Sequence, residues 1–311
     1  MLGKLSKAPS VKHWTKYVHR RSRLTASPQR TIARMVTIKK VAELTGVPEH
    51  TLRAWERRYG LVEPARSPSG YRLYDEAAIA AIRRMSQLVR SGWPPRRAAE
   101  EAARRIRVEA DGARARDDLL AAAVRLDGET VERIVADRFA QDDFERVTDE
   151  WLMPALSAPL RAGARGELTA AGEHLVAAVT MRRLAAAYDE AARFVAGPTV
   201  LVGAPPGVDH EIGLLAFATA ARRAGLRTVY LGAQVPAPAW REAAAGTAAR
   251  HAVTSLHRRA DAVRLEPVAA ALAGLPALAL WVGGSHQSSA PVPFQPLGHS
   301  VAAAAATLAA S

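Results

Sequence analysis

The chain has 311 residues and a formal net charge of +13 but no cysteine, so it is long enough for two or three domains yet excludes disulfides, thiolate metal sites and cysteine redox sensing. The charge is uneven: residues 1–110 carry 24 Lys or Arg against 9 Asp or Glu, and the other 201 residues carry 19 against 21. A basic excess of +15 therefore sits at the amino-terminal end, where a nucleic-acid partner needs it, and the remainder is nearly neutral at −2.

Residues 1–34 hold nine Lys or Arg and no acidic residue, with Pro9, Ser10, Ser27 and Pro28 as breakers. They form either a disordered basic arm that adds nonspecific DNA affinity or an extension upstream of Met35, which immediately precedes the first structured element. From Thr37, a capped helix carries Ile38, Val41, Ala42 and Leu44, and Thr45-Gly46-Val47 turns the chain. Pro48 suits the first position of a second helix, in which Leu52, Trp55 and Tyr59 share one apolar face while Arg53, Arg57 and Arg58 point elsewhere. Gly60 stops that helix, Ser67-Pro68-Ser69-Gly70 is a strong turn, and Tyr71-Arg72-Leu73-Tyr74 completes a small hairpin. Helix, turn, basic helix and wing form a DNA-reading unit, so promoter DNA is the expected partner. His50, Arg53, Arg57 and Arg58 are the candidate contacts from the helix, and Arg72 from the wing.

Beyond the wing, Asp75–Val89 is helical, Gly92-Trp93-Pro94-Pro95 breaks it, and Arg96–Arg107 resumes as a charged helix; residues 108–116 look like a linker. Residues 117–192 carry four amphipathic stripes, which predict a small antiparallel bundle. The first holds Leu119, Leu120, Val124 and Leu126, and the third includes Trp151. From Pro198 the period changes to short apolar runs (199–203, 228–232, 252–256 and 277–282) alternating with helices, the last beginning at His299 or Ser300. That alternation predicts a doubly wound parallel sheet, which binds ligands at the carboxyl ends of its strands. The expected chain is thus a multidomain α plus α/β protein. Its parts are a basic extension over 1–34, a winged helix-turn-helix over 35–108, a helical-bundle cap over 116–192 and a Rossmann-like sheet domain over 196–311. No run approaches the length of a membrane span and no signal-peptide core is present, so a cytoplasmic protein with no membrane partner is expected.

Thr37 to about Ala99 resembles the winged-helix domain of MerR-type transcription regulators, on the strength of Leu52–Gly60 and of Tyr71-Arg72 with Tyr74. The sheet segment resembles cobalamin-binding domains, whose fingerprint is D-x-H-x-x-G, then S-x-L, then G-G. His210 and Gly213 match, Thr254-Ser255-Leu256 follows with Thr254 in the serine place, and Gly283-Gly284 comes after it. The resemblance implies that His210 binds cobalt from below in place of the cofactor's own base. It also implies that Gly213, Gly283 and Gly284 let the backbone approach the nucleotide tail, to which Thr254 or Ser255 hydrogen-bonds. Two departures stand out. The carboxylate expected two places before the histidine is Val208, with Asp209 adjacent. The tryptophan that covers the adenosyl group in light-sensing MerR-type cobalamin regulators is replaced here by Gly163, ten residues before Glu173-His174.

Glu173-His174 itself is similar to the pair that touches the upper face of the cofactor in the light-responsive CarH and LitR group. Membership of that group implies adenosylcobalamin as cofactor, repression relieved by light, a homo-oligomer (dimer or tetramer) on DNA, contact with RNA polymerase at the promoter, and no enzymatic activity. Two alternatives remain open on the residues. One is a regulator that is cobalamin-independent or uses haem, a bilin or another corrinoid in the same cavity; the other is a corrinoid methyl-carrier enzyme subunit.

Overall fold

The structure, a computed structural model, describes residues 35–157, 167–191, 197–275 and 277–311. The basic extension over 1–34 and the Gly163 position lie outside the described residues. Two compact units divide between Ala110 and Asp111.

In the first unit, β1 (Val36–Thr37) leads into α1 (Ile38–Thr45) and α2 (Glu49–Tyr59), followed by β2 (Ala65–Arg66), β3 (Arg72–Tyr74) and α3 (Glu76–Arg90). Each short helix ends on a left-handed glycine whose N–H returns to the last turn: Gly46 (φ 68°) bonds the Ala42 carbonyl and Gly60 (φ 58°) the Glu56 carbonyl. Thr37 stands at the N-cap of α1 but its hydroxyl makes no capping bond; its backbone is in β1, opposite Leu73. Pro48 is the N-cap of α2 rather than its first residue. The three strands form an antiparallel sheet in the order β1-β3-β2, with Ala65 opposite Leu73 and Arg66 opposite Arg72. Val41, Leu52, Tyr74, Ile82 and Met85 build the core, against which Trp55 and Tyr59 pack.

Residues 108–116, expected as a linker, are helical: α4 runs unbroken from Pro95 to Val124. The stretch holds one glycine and no proline among strong helix formers, and Gly112 uses its carbonyl to accept a bond from Trp151 Nε1 at 3.2 Å. Of the first stripe, Leu119 is buried, but Val124 and Leu126 are exposed where the helix ends.

The second unit continues with α5 (Gly128–Gln141), capped by the Asp127 carboxylate, and α6, which opens as Phe144–Arg146 and continues through a π turn over Val147–Leu152. Trp151 is core, 1% exposed, with the Arg138 guanidinium 5.7 Å above its ring. Helix α7 (Ala170–Glu190) starts on the Thr169 cap and carries Val176, Val179 and Leu184 inward. Gly172 in its first turn lies so close to α4 that an added Cβ would stand 2.7 Å from the Ala123 carbonyl oxygen.

The sheet follows: β4 (Thr199–Gly203), α8 (Ile212–Arg223), β5 (Arg227–Gly232), α9 (Ala237–Thr247), β6 (His251–Ser255), α10 (Glu266–Leu272), β7 (Ala279–Gly283), β8 (Gln295–Pro296) and α11 (Val301–Ala309). All five strands are parallel, in the order β5-β4-β6-β7-β8. The fifth strand was not foreseen, because two residues at an edge, one of them Pro296, leave no periodic signal. Residues of β4 alternate between the faces. Val200 and Val202 join one core with α8, α11 and the bundle, and Leu201 joins the other with Trp240 of α9 and Leu272 of α10. Helices thus cover both faces, as a doubly wound sheet requires.

The bundle and the sheet share one hydrophobic core, and polar ties reinforce it. Asp149, on the π turn, accepts bonds from Ser300 Oγ and Val301 N at 2.7 Å and from Ala302 N at 3.1 Å, so a bundle carboxylate caps α11. Arg223 of α8 donates to Glu145 at 2.6 Å, and the Arg222 guanidinium lies 3.5 Å over the Tyr188 ring at the end of α7.

Candidate functional site

On α2, His50, Arg53 and Arg57 fall at i, i+3 and i+7, which places them on one exposed face opposite Leu52 and Tyr59. Arg58 is exposed on a neighbouring strip. Arg53 pairs with Glu49 at 3.2 Å, an exposed contact worth only a few tenths of a kcal/mol, roughly, and easily exchanged for a phosphate. Arg72 is tied differently. Its Nε donates to both carboxylate oxygens of Glu56, at 3.1 and 3.2 Å, which bolts the wing strand to the reading helix and raises the guanidinium pKa above its ordinary value. The wing tip is closed by Ser67, whose hydroxyl accepts from Tyr71 N at 3.0 Å and whose carbonyl accepts from Gly70 N at 2.8 Å. Tyr71 beside it is 69% exposed. A rigid basic face with an exposed aromatic wing is suited to a duplex groove and its flanking phosphates.

In the second unit, strand order reverses between β4 and β6, so their loops leave in opposite directions and open the crevice in which such sheets take ligands. His210 stands in the β4 loop, exposed, and its ring meets the ring of His257, from the β6 loop, at 5.4 Å and an interplanar angle of 67°. Burial holds the His257 imidazole below its ordinary pKa, and the neighbouring His210 and His286 add to the shift. At the carboxyl end of β6, Thr254 and Ser255 are 1% and 5% exposed, and neither hydroxyl finds a hydrogen-bond partner among the described residues. Each such orphan costs about 1–3 kcal/mol unless something else completes it. Ser255 lies opposite Gly283 in the ladder. A Cβ added at Gly283 or at Gly213 meets nothing within 4 Å, so both glycines border open space.

Gly284 is different. Its φ is +94°, and an added Cβ would stand 2.5 Å from the Leu256 carbonyl oxygen and 3.0 Å from the Leu256 nitrogen. Its lack of a side chain serves the packing of the β7 loop on the β6 loop. Val208 is 4% exposed and belongs to the core, so it offers no polar group to His210. The two nearby carboxylates are committed elsewhere: Asp209 accepts from the Gln234 amide, and Glu211 accepts from Tyr230 OH at 2.9 Å. Together with burial, the Glu211 contact pushes the Tyr230 phenol well above its usual pKa. Glu173 is half-buried and His174 exposed in the first turns of α7. The other end of that helix is anchored by Tyr188, whose hydroxyl lies 3.1 Å from Thr228 Oγ1 at the start of β5.

Residues 36–105 match the model of the MerR HTH family regulatory protein, and residues 115–188 match that of a B12 binding domain. Over 208 residues the chain is 35% identical to the HTH-type transcriptional repressor CarA of Myxococcus xanthus, an alignment covering 65% of this chain and 69% of CarA. Over 222 residues it is 32% identical to the HTH-type transcriptional repressor CarH of the same organism, covering 66% and 73%. The chain belongs to the CarA and CarH family of MerR-type transcription regulators. Among solved structures it is similar to the monomethylamine corrinoid protein of Methanosarcina barkeri, at 16% identity and a TM-score of 0.48, over 62% of this chain and 94% of that one.

As a member of the CarA and CarH family, the chain is a DNA-binding transcription regulator with a B12-binding domain. The matched segments contain the basic helix and wing in one case and the bundle helices in the other. The residues of the sheet fit a corrinoid on their own evidence: two orphan hydroxyls, two glycines facing open space, and a loop histidine, all at the strand-order reversal. Sequence reasoning missed His257, His286 and Gln234 there. His257 directly follows Leu256 of the T-S-L element, which was the available signal.

Proposed function

We propose that this chain is a repressor that reads promoter DNA with its first unit and senses light through adenosylcobalamin bound between the helical bundle and the sheet. The observation that carries the corrinoid assignment is the pair of buried, unpartnered hydroxyls at Thr254 and Ser255, beside Gly283 and at the crevice that His210 borders. In this reading His210 would be the protein's ligand to cobalt. Thr254 and Ser255 hydrogen-bond the nucleotide tail, and Gly213, Gly283 and Gly284 leave it room, Gly284 by letting the β7 loop close on Leu256. Bound there, adenosylcobalamin supplies a cobalt–carbon bond that light cleaves. Glu173 and His174, in the first turns of α7, contribute from the bundle.

The domains in this account are a winged helix over 35–108, a bundle over 116–192 and a sheet domain over 196–311, within a cytoplasmic regulator that has no enzymatic activity. His50, Arg53, Arg57, Arg58 and Arg72 form the DNA surface. A dimer or tetramer is the DNA-binding species, since linked winged helices multiply their affinities through effective concentration, and repression acts against RNA polymerase at the promoter. A second reading is favoured by one observation. Val208 is buried and, among the described residues, no carboxylate bonds His210, as would suit a regulator that works without cobalamin or holds haem, a bilin or another corrinoid. The test is a mobility shift on promoter fragments that the protein itself selects from genomic DNA, run in darkness with and without adenosylcobalamin. The cofactor should tighten binding at least tenfold. Equal affinity in both lanes would select the second reading.

A further inference from the structure

Resting on the assignment of His210 as cobalt ligand, we propose that His257 is its positioning residue, holding the imidazole in place of the carboxylate whose position Val208 takes. A metal-bound histidine needs something to fix its ring plane, and the usual device is a hydrogen-bonded carboxylate or carbonyl. Here the residue two places earlier is Val208, sunk in the core, while Asp209 is engaged by Gln234 and Glu211 by Tyr230. The His210 ring meets the His257 ring edge-on, at 5.4 Å and 67°. That geometry is a preferred one for two rings, and it restrains the plane of one against the other.

His257 is itself held in place. Its carbonyl accepts from Ser285 Oγ at 3.2 Å, and the preceding Leu256 carbonyl accepts from His286 N at 3.0 Å, so the β7 loop braces the residue from behind. The same segment grips the His210 loop a second time. Arg264 reaches across to the Pro206 carbonyl at 3.2 Å, passing so close over Gly207 that any Cβ there would collide with its guanidinium. Residues 256–265 therefore grip the histidine loop twice, by the ring contact and by the Arg264 hydrogen bond, with Arg264 steadied by Asp261 at 3.1 Å. The two histidines come from the two loops that diverge at the strand-order reversal, where sheets of this kind take ligands.

The test uses the full chain labelled with ¹⁵N, loaded with hydroxocobalamin and reduced to the cob(II)alamin state. A protein imidazole on cobalt then splits the electron paramagnetic resonance lines into doublets, while the cofactor's own ¹⁴N base gives triplets. His257→Ala should weaken cobalamin binding about tenfold and replace part of the doublet signal. His257→Phe, which keeps an aromatic edge but no proton, should restore both affinity and doublets, a rescue that also holds if His257→Ala lowers thermal stability. Wild-type affinity and pure doublets in His257→Ala would overturn the positioning role. Doublets that persist in His210→Ala but vanish in His257→Ala would make His257 the ligand and overturn the proposal in another way. A wild-type chain that takes up no cobalamin would instead fail the underlying reading, and the proposal with it.

Discussion

Gly284→Ala is expected to lower the melting temperature of the second unit by roughly 6–12 °C, whereas Gly283→Ala, one residue earlier, leaves it nearly unchanged. The two glycines look equivalent in the sequence and differ in what surrounds them. At Gly284 an added methyl group faces backbone atoms of Leu256 at 2.5 to 3.0 Å and requires a side chain at φ +94°. Neither the β6 loop nor the β7 loop can retreat cheaply, because the Leu256 N–H donates to the Gly283 carbonyl at 2.9 Å and its carbonyl is bonded by His286 N. Strain and overpacking together cost about 3 kcal/mol or more. At Gly283 there is nothing within 4 Å to strike. If the open space belongs to the corrinoid, Gly283→Ala should fold normally yet lose at least tenfold in cobalamin affinity. Gly213→Ala should behave likewise, with a small gain in helix stability of at most about 1 kcal/mol. Thermal melts without cofactor, followed by titration with hydroxocobalamin, separate the two effects. A Gly284→Ala chain that melts like the wild type would contradict the close approach of the two loops.

Replacing Arg53 and Arg57 together by alanine should weaken operator binding by two to three orders of magnitude while leaving the fold intact. Each groove or phosphate contact of this kind is worth about 1–3 kcal/mol, and both side chains are exposed with no core role. Losing the Arg53–Glu49 pair costs the helix little. The salt dependence carries the diagnosis: every phosphate contact removed should lower the slope of log K against log salt by about one. Arg72 needs a different control, because it braces Glu56 as well as facing the wing. Glu56→Ala frees the guanidinium without removing its charge. If Glu56→Ala weakens binding as much as Arg72→Ala does, Arg72 acts by setting the wing against the helix rather than by touching DNA. Fluorescence anisotropy with a labelled operator, at several salt concentrations, gives both numbers. An affinity for the Arg53 and Arg57 double variant within threefold of the wild type would remove this face of α2 from the interface.

Local signals made much of this molecule legible. Gly46 and Gly60 end their helices in the left-handed conformation because stop signals act within a few residues, and the strands from Thr199 to Gly283 announce themselves as apolar runs bounded by Gly and Pro. What escaped depends on residues far apart in the chain. Asp149 caps a helix that begins 152 positions later, His257 finds His210 because β4 and β6 lie side by side in the sheet, and Gly284 is hemmed in by the Leu256 backbone. The linker expected near residue 112 failed for a simpler reason: one glycine among alanines and arginines does not stop a helix whose carbonyl is engaged by Trp151. At the candidate site, motif spacing named His210, Gly213, Thr254 and Gly283. Spacing alone gave no sign that Val208 had joined the core or that neighbouring side chains had claimed Asp209 and Glu211.

Size-exclusion chromatography of the full chain mixed with adenosylcobalamin, with corrin absorbance recorded across the peak in darkness and again after green light, tests the central claim most directly. The account predicts that one corrin per chain travels with the protein and that illumination lowers the apparent mass as the dark oligomer comes apart. A protein peak free of corrin, or a corrin-bearing peak whose mass is the same in darkness and in light, would contradict it.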